Sequence, residues 1–189
     1  VPRRVERFTE GVFFHEVELI ENPVFLNPPY TLALASKLVD VASYHSLDIL
    51  HVHYAVPHAT SAYLARQIMG PQAPKIITTL HGTDITLVGS ERTYLPITRF
   101  SIMESDAVTA PSKFLRAATY DKLNIPTECK IDVIPNFVDA ETFKPGMNSY
   151  DKTVRACLGI DQSEKVLAHV SNFRPVKRVA DVVRVFAKV

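Results

Sequence analysis

The chain has 189 residues, 47% apolar and 22% charged, the balance of a globular protein and not of a disordered one. That length accommodates one domain, or one and a part. Its 21 Lys and Arg against 20 Asp and Glu leave a formal charge of +1, which argues against a strongly basic nucleic-acid binder, local basic patches aside.

Strand and helix signals alternate along the chain. Residues 12–19 are rich in β-branched and aromatic side chains and predict a strand. Residues 22–29 form a loop rich in Pro and Asn. From Thr31 onward, Leu32, Ala35, Leu38, Val39 and Ala42 fall on one helical stripe. Residues 48–54 predict a short apolar strand. Pro57 suits the first turn of a helix that runs towards Met69 and ends near Gly70-Pro71. Residues 75–80 (KIITTL) predict a buried strand, followed directly by His81-Gly82-Thr83-Asp84. A helix is expected over 95–104 and a strand over 107–110. Ser112 is placed to cap a helix through about Leu123.

Residues 131–134 read as a further strand, broken by Pro135. Residues 144–148 look like a linker, and a short helix around 153–158 ends at Gly159. A strand over 165–170 and a helix over 176–189 are expected next. The first residue is Val, and the last helix-like segment simply stops, so a piece of a longer chain is expected. The longest run free of Asp, Glu, Lys and Arg, residues 49–65, is too short and polar for a transmembrane helix. Cys129 and Cys157 lack Cys-x-x-Cys spacing and read as free thiols of a reducing compartment.

Alternating strands and helices imply parallel βαβ units and a doubly wound sheet. Ligands of such sheets bind outside the carboxyl ends of the strands. The residues there are His53-Tyr54, residues 81–84, Pro111-Ser112, Asn136 and residues 171–178. Gly82 permits a tight turn or a close backbone approach. His81 and Asp84 can hydrogen-bond a polyhydroxylated or charged ligand, and His81 can shuttle a proton. Equally, Asp84 can simply cap the next helix. His51 and His53 share one strand face. They suit either a metal-chelating pair or packing in a polar cleft, and no nearby Cys or carboxylate completes a ligand set. The hydroxyl of Tyr54 can bind an anion at the strand end or lie idle at the surface.

Arg174, Lys177 and Arg178 cluster where a helix begins, although the helix dipole disfavours cations there by ~0.3–1 kcal/mol each. A bound phosphate reverses that sign and uses the free backbone N–H groups. The alternative is a solvated face shared by Lys177, Asp181, Arg184 and Lys188. The dinucleotide fingerprint, the P-loop, Asp-x-Asp and Gly-x-Ser-x-Gly are all absent from the sequence.

The segments HVHYAVPHA (51–59), TTLHGTDITLVG (78–89), SDAVTAPSKFL (105–115), IPNFVDAETF (134–143) and HVSNFRPVKRVADVV (169–183) together resemble the retaining family 4 glycosyltransferases of the GT-B fold. That resemblance implies a Rossmann-like acceptor domain over 1–145, lacking its first strand, loop and helix. A linker and short helix over 146–164 follow, then the first strand and helix of a nucleotide-sugar domain over 165–189. It implies transfer of N-acetylglucosamine from UDP-N-acetylglucosamine to L-malate with retention, on the branch that feeds bacillithiol biosynthesis.

By position, His81 and Asp84 match the catalytic loop, and Tyr54, Thr83 and Arg99 the acceptor side. Asn172, Lys177 and Arg178 match the nucleotide side. Many relatives carry Arg five residues before the lysine, where this chain has Asn172, and the Asn variant fits the malate branch. The resemblance further implies no metal or other cofactor, a cytoplasmic enzyme without membrane or nucleic-acid partners, a possible homo-oligomer, and a fragment inactive by itself. The other readings are a family 4 transferase acting on a lipid or polysaccharide, and a non-catalytic sugar-nucleotide-binding module.

Overall fold

In the computed structural model, residues 3–4, 11–86, 88–144, 150–161 and 163–188 are described. They divide into two compact units, Val1–Phe137 and Val138–Val189.

The first unit opens with a two-residue antiparallel pair, β1 (Arg3–Arg4) and β2 (Phe13–Phe14). The strand expected over 12–19 is therefore confined to Phe13–Phe14. Helix α1 (Tyr30–His45) follows and ends at Ser46, whose left-handed φ of 50° stops the helix. Then come β3 (Ile49–His53), a turn over Ala55–Ala59, and α2 (Thr60–Met69). Next are β4 (Lys75–Thr79), the single turn α3 (Thr83–Thr86), α4 (Leu95–Met103) and β5 (Ala107–Ala110). The unit closes with α5 (Lys113–Leu123) and β6 (Ile131–Val133). Ser112 caps α5 as expected, its Oγ accepting the amide of Leu115 at 3.1 Å.

The strands β3 to β6 lie parallel in chain order. His53 pairs with Thr79, Thr79 with Thr109, and Thr109 with Asp132. Since side chains alternate along a strand, this register sorts the sheet into two faces. Leu50, Val52, Ile76, Thr78, Val108, Ala110 and Ile131 share the buried face. His51, His53, Thr79, Thr109 and Asp132 share the other, which is more open. Right-handed crossovers between successive strands in one direction deliver their helices to one side, the side of the buried set.

Two apolar clusters fill that side. One joins Ala42, Leu50, Val52, Ala59, Ala62 and Ile76. The other gathers Leu80, Ile85, Ile102, Val108, Leu123 and Ile131, among others. Fully burying each valine, leucine or isoleucine among them contributes ~1.5–3 kcal/mol.

At the amino-terminal end of β4 and β5, Asp106 accepts from Lys75 Nζ at 2.9 Å and from the Ile76 amide at 2.9 Å. Arg66 bridges Asp106 and Glu104 at 3.4 and 3.2 Å. Partial burial raises the Asp106 carboxyl. The Ile76 amide, then Lys75 and Arg66, outweigh it and hold the group below its ordinary value.

The second unit contains α6 (Tyr150–Cys157) and α7 (Val179–Phe186). Two expectations change here. Residues 165–170 form no strand, because among the described residues no neighbouring strand offers them a ladder. The helix expected over 176–189 is broken by Arg178, which adopts a left-handed φ of 50° between a short turn, Pro175–Lys177, and α7. No helix among the described residues is long and apolar enough to cross a membrane.

Candidate active site at the carboxyl ends of β3 and β4

Both chain segments that leave the sheet here turn sharply. Tyr54 has a φ of 75°, unusual for an aromatic residue and worth ~1–3 kcal/mol of strain. Its amide is nonetheless tied to the Thr79 carbonyl at 2.9 Å, continuing the ladder. After β4, Gly82 adopts a φ of 99°, and a Cβ there would meet Leu115 Cδ2 at 3.2 Å. Conformation and space both select glycine at this position.

Asp84 holds the two turns together. Its Oδ1 accepts the amides of His81 at 3.0 Å and Gly82 at 2.9 Å. Its Oδ2 accepts the amide of Ala55 at 3.1 Å, from the turn after β3. The side chain is 2% exposed, so the carboxylate lies beneath the loop and acts through the backbone it binds. Gly89 packs directly against the Asp84 carbonyl and leaves no space for a Cβ.

Above this floor stands a row of histidines. His53 Nδ1 and His81 Nε2 are hydrogen-bonded at 2.7 Å. His51 stacks on His53 with ring centroids 4.8 Å apart, and its Nε2 meets Thr79 Oγ1 at 2.8 Å. Thr79 in turn meets Thr109 Oγ1 at 2.7 Å. His58 donates from Nδ1 to the His53 carbonyl. The Tyr54 ring lies 4.8 Å from that of His81 and 6.1 Å from that of His58. Burial first, then the neighbouring His51, His81 and His58, press the His53 imidazole below the ordinary histidine value. The ring nitrogens of the His-x-His pair that face other groups are thus engaged in a polar network. Among the described residues no group of three His, Cys, Asp or Glu side chains is arranged to hold a metal ion.

Of the expected residues, the structure brings His81, Tyr54 and Asp84 into one place. Thr83 is exposed at the start of α3. Arg99 is half-buried on α4, which packs against residues 55–59, and its guanidinium has no ion-pair partner among the described residues. In the second unit, Lys177 is exposed in the Pro175–Lys177 turn. The guanidinium of Arg178 is bound through Nε to Asp181 Oδ2 at 2.6 Å, and Asn172 offers its carbonyl to the Arg174 amide at 2.7 Å. The association of His53 with His81 escaped sequence reading. Its one visible sign is that each residue ends or directly follows an apolar strand.

A parallel α/β sheet with its polar cluster at the carboxyl ends of the strands has the layout of a ligand-binding site, and such a layout serves many activities. The family model for Glycosyltransferase Family 4 matches residues 1–142, and the chain belongs to that family. It is 47% identical over its whole length to the N-acetyl-alpha-D-glucosaminyl L-malate synthase of Bacillus anthracis. The chain spans about half the length of that curated relative, 48% of it. A glycosyltransferase of Rickettsia africae ESF-5 shares the fold, with a TM-score of 0.53 and 23% identity. That match covers 76% of this chain and 35% of the other.

Proposed function

We propose that this chain supplies the acceptor side of a retaining hexosyltransferase that moves N-acetylglucosamine from UDP-N-acetylglucosamine to the hydroxyl of L-malate. The observation that carries this reading is the 47% identity, over the whole chain, to a protein named for making that glucosaminyl malate. The geometry supports it. The loop from His81 to Asp84 stands where parallel sheets bind ligands, and a buried carboxylate fixes it against the turn after β3.

In this reading the bond between the anomeric carbon and the UDP oxygen breaks as a malate oxygen approaches from the same face. The malate proton passes to the departing phosphate. No protein nucleophile takes part. His81 orients the sugar near the reacting carbon, while Tyr54, Thr83 and Arg99 receive malate. Lys177 meets the charge that develops on the β-phosphate, where such a preformed cation is most effective. No metal or other cofactor has a role in this scheme. The product belongs to the first step of bacillithiol biosynthesis, in the cytoplasm.

The test is UDP release from UDP-N-acetylglucosamine by a chain of the relative's full length that carries these residues. Release is expected only when L-malate is added. Equal release without malate, or with unrelated acceptors, overturns the assignment. The 189 residues alone are expected to give no malate-dependent release.

A further inference from the structure

The His81 imidazole has two polar ring atoms. Its Nε2 is taken by His53 Nδ1 at 2.7 Å, and its Nδ1 has no partner among the described residues. The backbone of His81 is already fixed by Asp84, whose Oδ1 accepts a hydrogen bond from the His81 amide at 3.0 Å. What remains free is the rotation of the ring about its two side-chain torsions. Two contacts remove that freedom: the bond to His53, and the Tyr54 ring at 4.8 Å.

We infer that His53 is a positioning residue for His81, holding its ring through the bond between Nδ1 and Nε2 so that Nδ1 of His81 is the one polar ring atom left for a ligand. This rests on the transferase reading for its catalytic consequence, but not for its structural part. A bond between two imidazoles needs one proton between the facing nitrogens, and a charge on both rings would set N–H against N–H. His53 is suited to stay neutral, since burial and the surrounding histidines disfavour its charged form. His53 is itself braced by the stacked His51, which Thr79 and Thr109 anchor in turn. Such a braced neighbour fixes a ring's direction, and the one proton between the facing nitrogens ties the tautomer of one ring to that of the other.

Three substitutions separate this role from simple packing. His53→Asn keeps a polar atom near the position of Nδ1, His53→Gln moves it outward, and His53→Phe keeps the ring shape without it. In the 189-residue chain, nitrogen-15 spectra of the histidine rings near neutral pH should show one His81 tautomer in the wild type and in His53→Asn. His53→Phe and His53→Gln should give a mixture. In a chain of the relative's full length, His53→Phe should lower kcat for malate-dependent UDP release by about ten- to a hundredfold, as expected for a misplaced catalytic group. The KM for malate should stay within about threefold, and His53→Asn should recover most of kcat.

A single His81 tautomer in both His53→Phe and His53→Gln overturns the inference. So does a loss confined to KM. If His53→Phe does not fold, the contrast between Asn and Gln decides. If the wild type shows no malate-dependent release, the transferase reading fails, and the ring spectra still decide whether His53 holds His81.

Discussion

Asp84 Oδ2 accepts the amide of Ala55 across 3.1 Å and so joins the turn after β3 to the loop after β4. The two residues are 29 apart in sequence. Because Oδ1 of the same carboxylate binds His81 and Gly82, one buried side chain determines the relative placement of Tyr54 and His81.

Replacing Asp84 tests this arrangement. Asp84→Ala strands three amides, two of them buried and that of His81 partly buried, and a buried one costs ~1–3 kcal/mol when unpaired. The expected loss is about 3 kcal/mol or more in urea unfolding. Asp84→Asn should lose less, since its amide oxygen still accepts while its NH2 opposes a donor. A loss below about 0.5 kcal/mol in the alanine variant would show that the turns are held by other contacts.

Gly82→Ala forces a side chain into a φ of 99° and towards Leu115. Strain of this kind costs ~1–3 kcal/mol. A lower midpoint in thermal unfolding is expected, with a displaced His81 ring signal in the histidine spectra. An unchanged midpoint and unchanged ring signals would mean the loop does not need glycine.

Asp106 makes stability depend on pH. Its folded-state carboxyl is held below the ordinary value, so the unfolded chain binds this proton first as the solution is acidified. Its contribution is complete above the ordinary carboxylate value of ~3.9 and disappears as pH falls through the lower folded value. The wild type should therefore exceed Asp106→Asn in stability at pH 7, with the gap closing in acid. A gap that stays constant from pH 7 to below pH 3 contradicts the assignment.

Lys177 is exposed and free of ion pairs among the described residues. In a chain of the relative's full length, Lys177→Ala should weaken UDP binding by about tenfold or more, the value of one charge-assisted bond. Malate binding should change little. Calorimetry showing the opposite order would remove Lys177 from the nucleotide side.

Short-range patterns made much of the first unit legible. The cores of β3, β4, β5 and β6 follow from apolar runs bounded by turn residues, and the start of α5 from Ser112. The apolar stripe beginning at Leu32 marks α1. Local propensity is not enough where a segment lacks a partner. Residues 12–19 and 165–170 carry strand-forming side chains, yet a strand exists only where a neighbour accepts its hydrogen bonds. The break at Arg178 was likewise invisible, because apolar periodicity runs straight through it and only the backbone conformation interrupts the helix.

For the site, the sequence by itself determined which residues are present at the strand ends: Tyr54, His81, Gly82 and Asp84. It could not say whether Asp84 faces a ligand or the interior, nor that His53 would meet His81. Tertiary structure decided both. The register of β3 on β4 pairs His53 with Thr79, two residues before His81, and that register is set by which side chains the sheet buries. Hydrogen bonds between residues 28 and 29 apart are consequences of that packing, and no pattern within either segment encodes them.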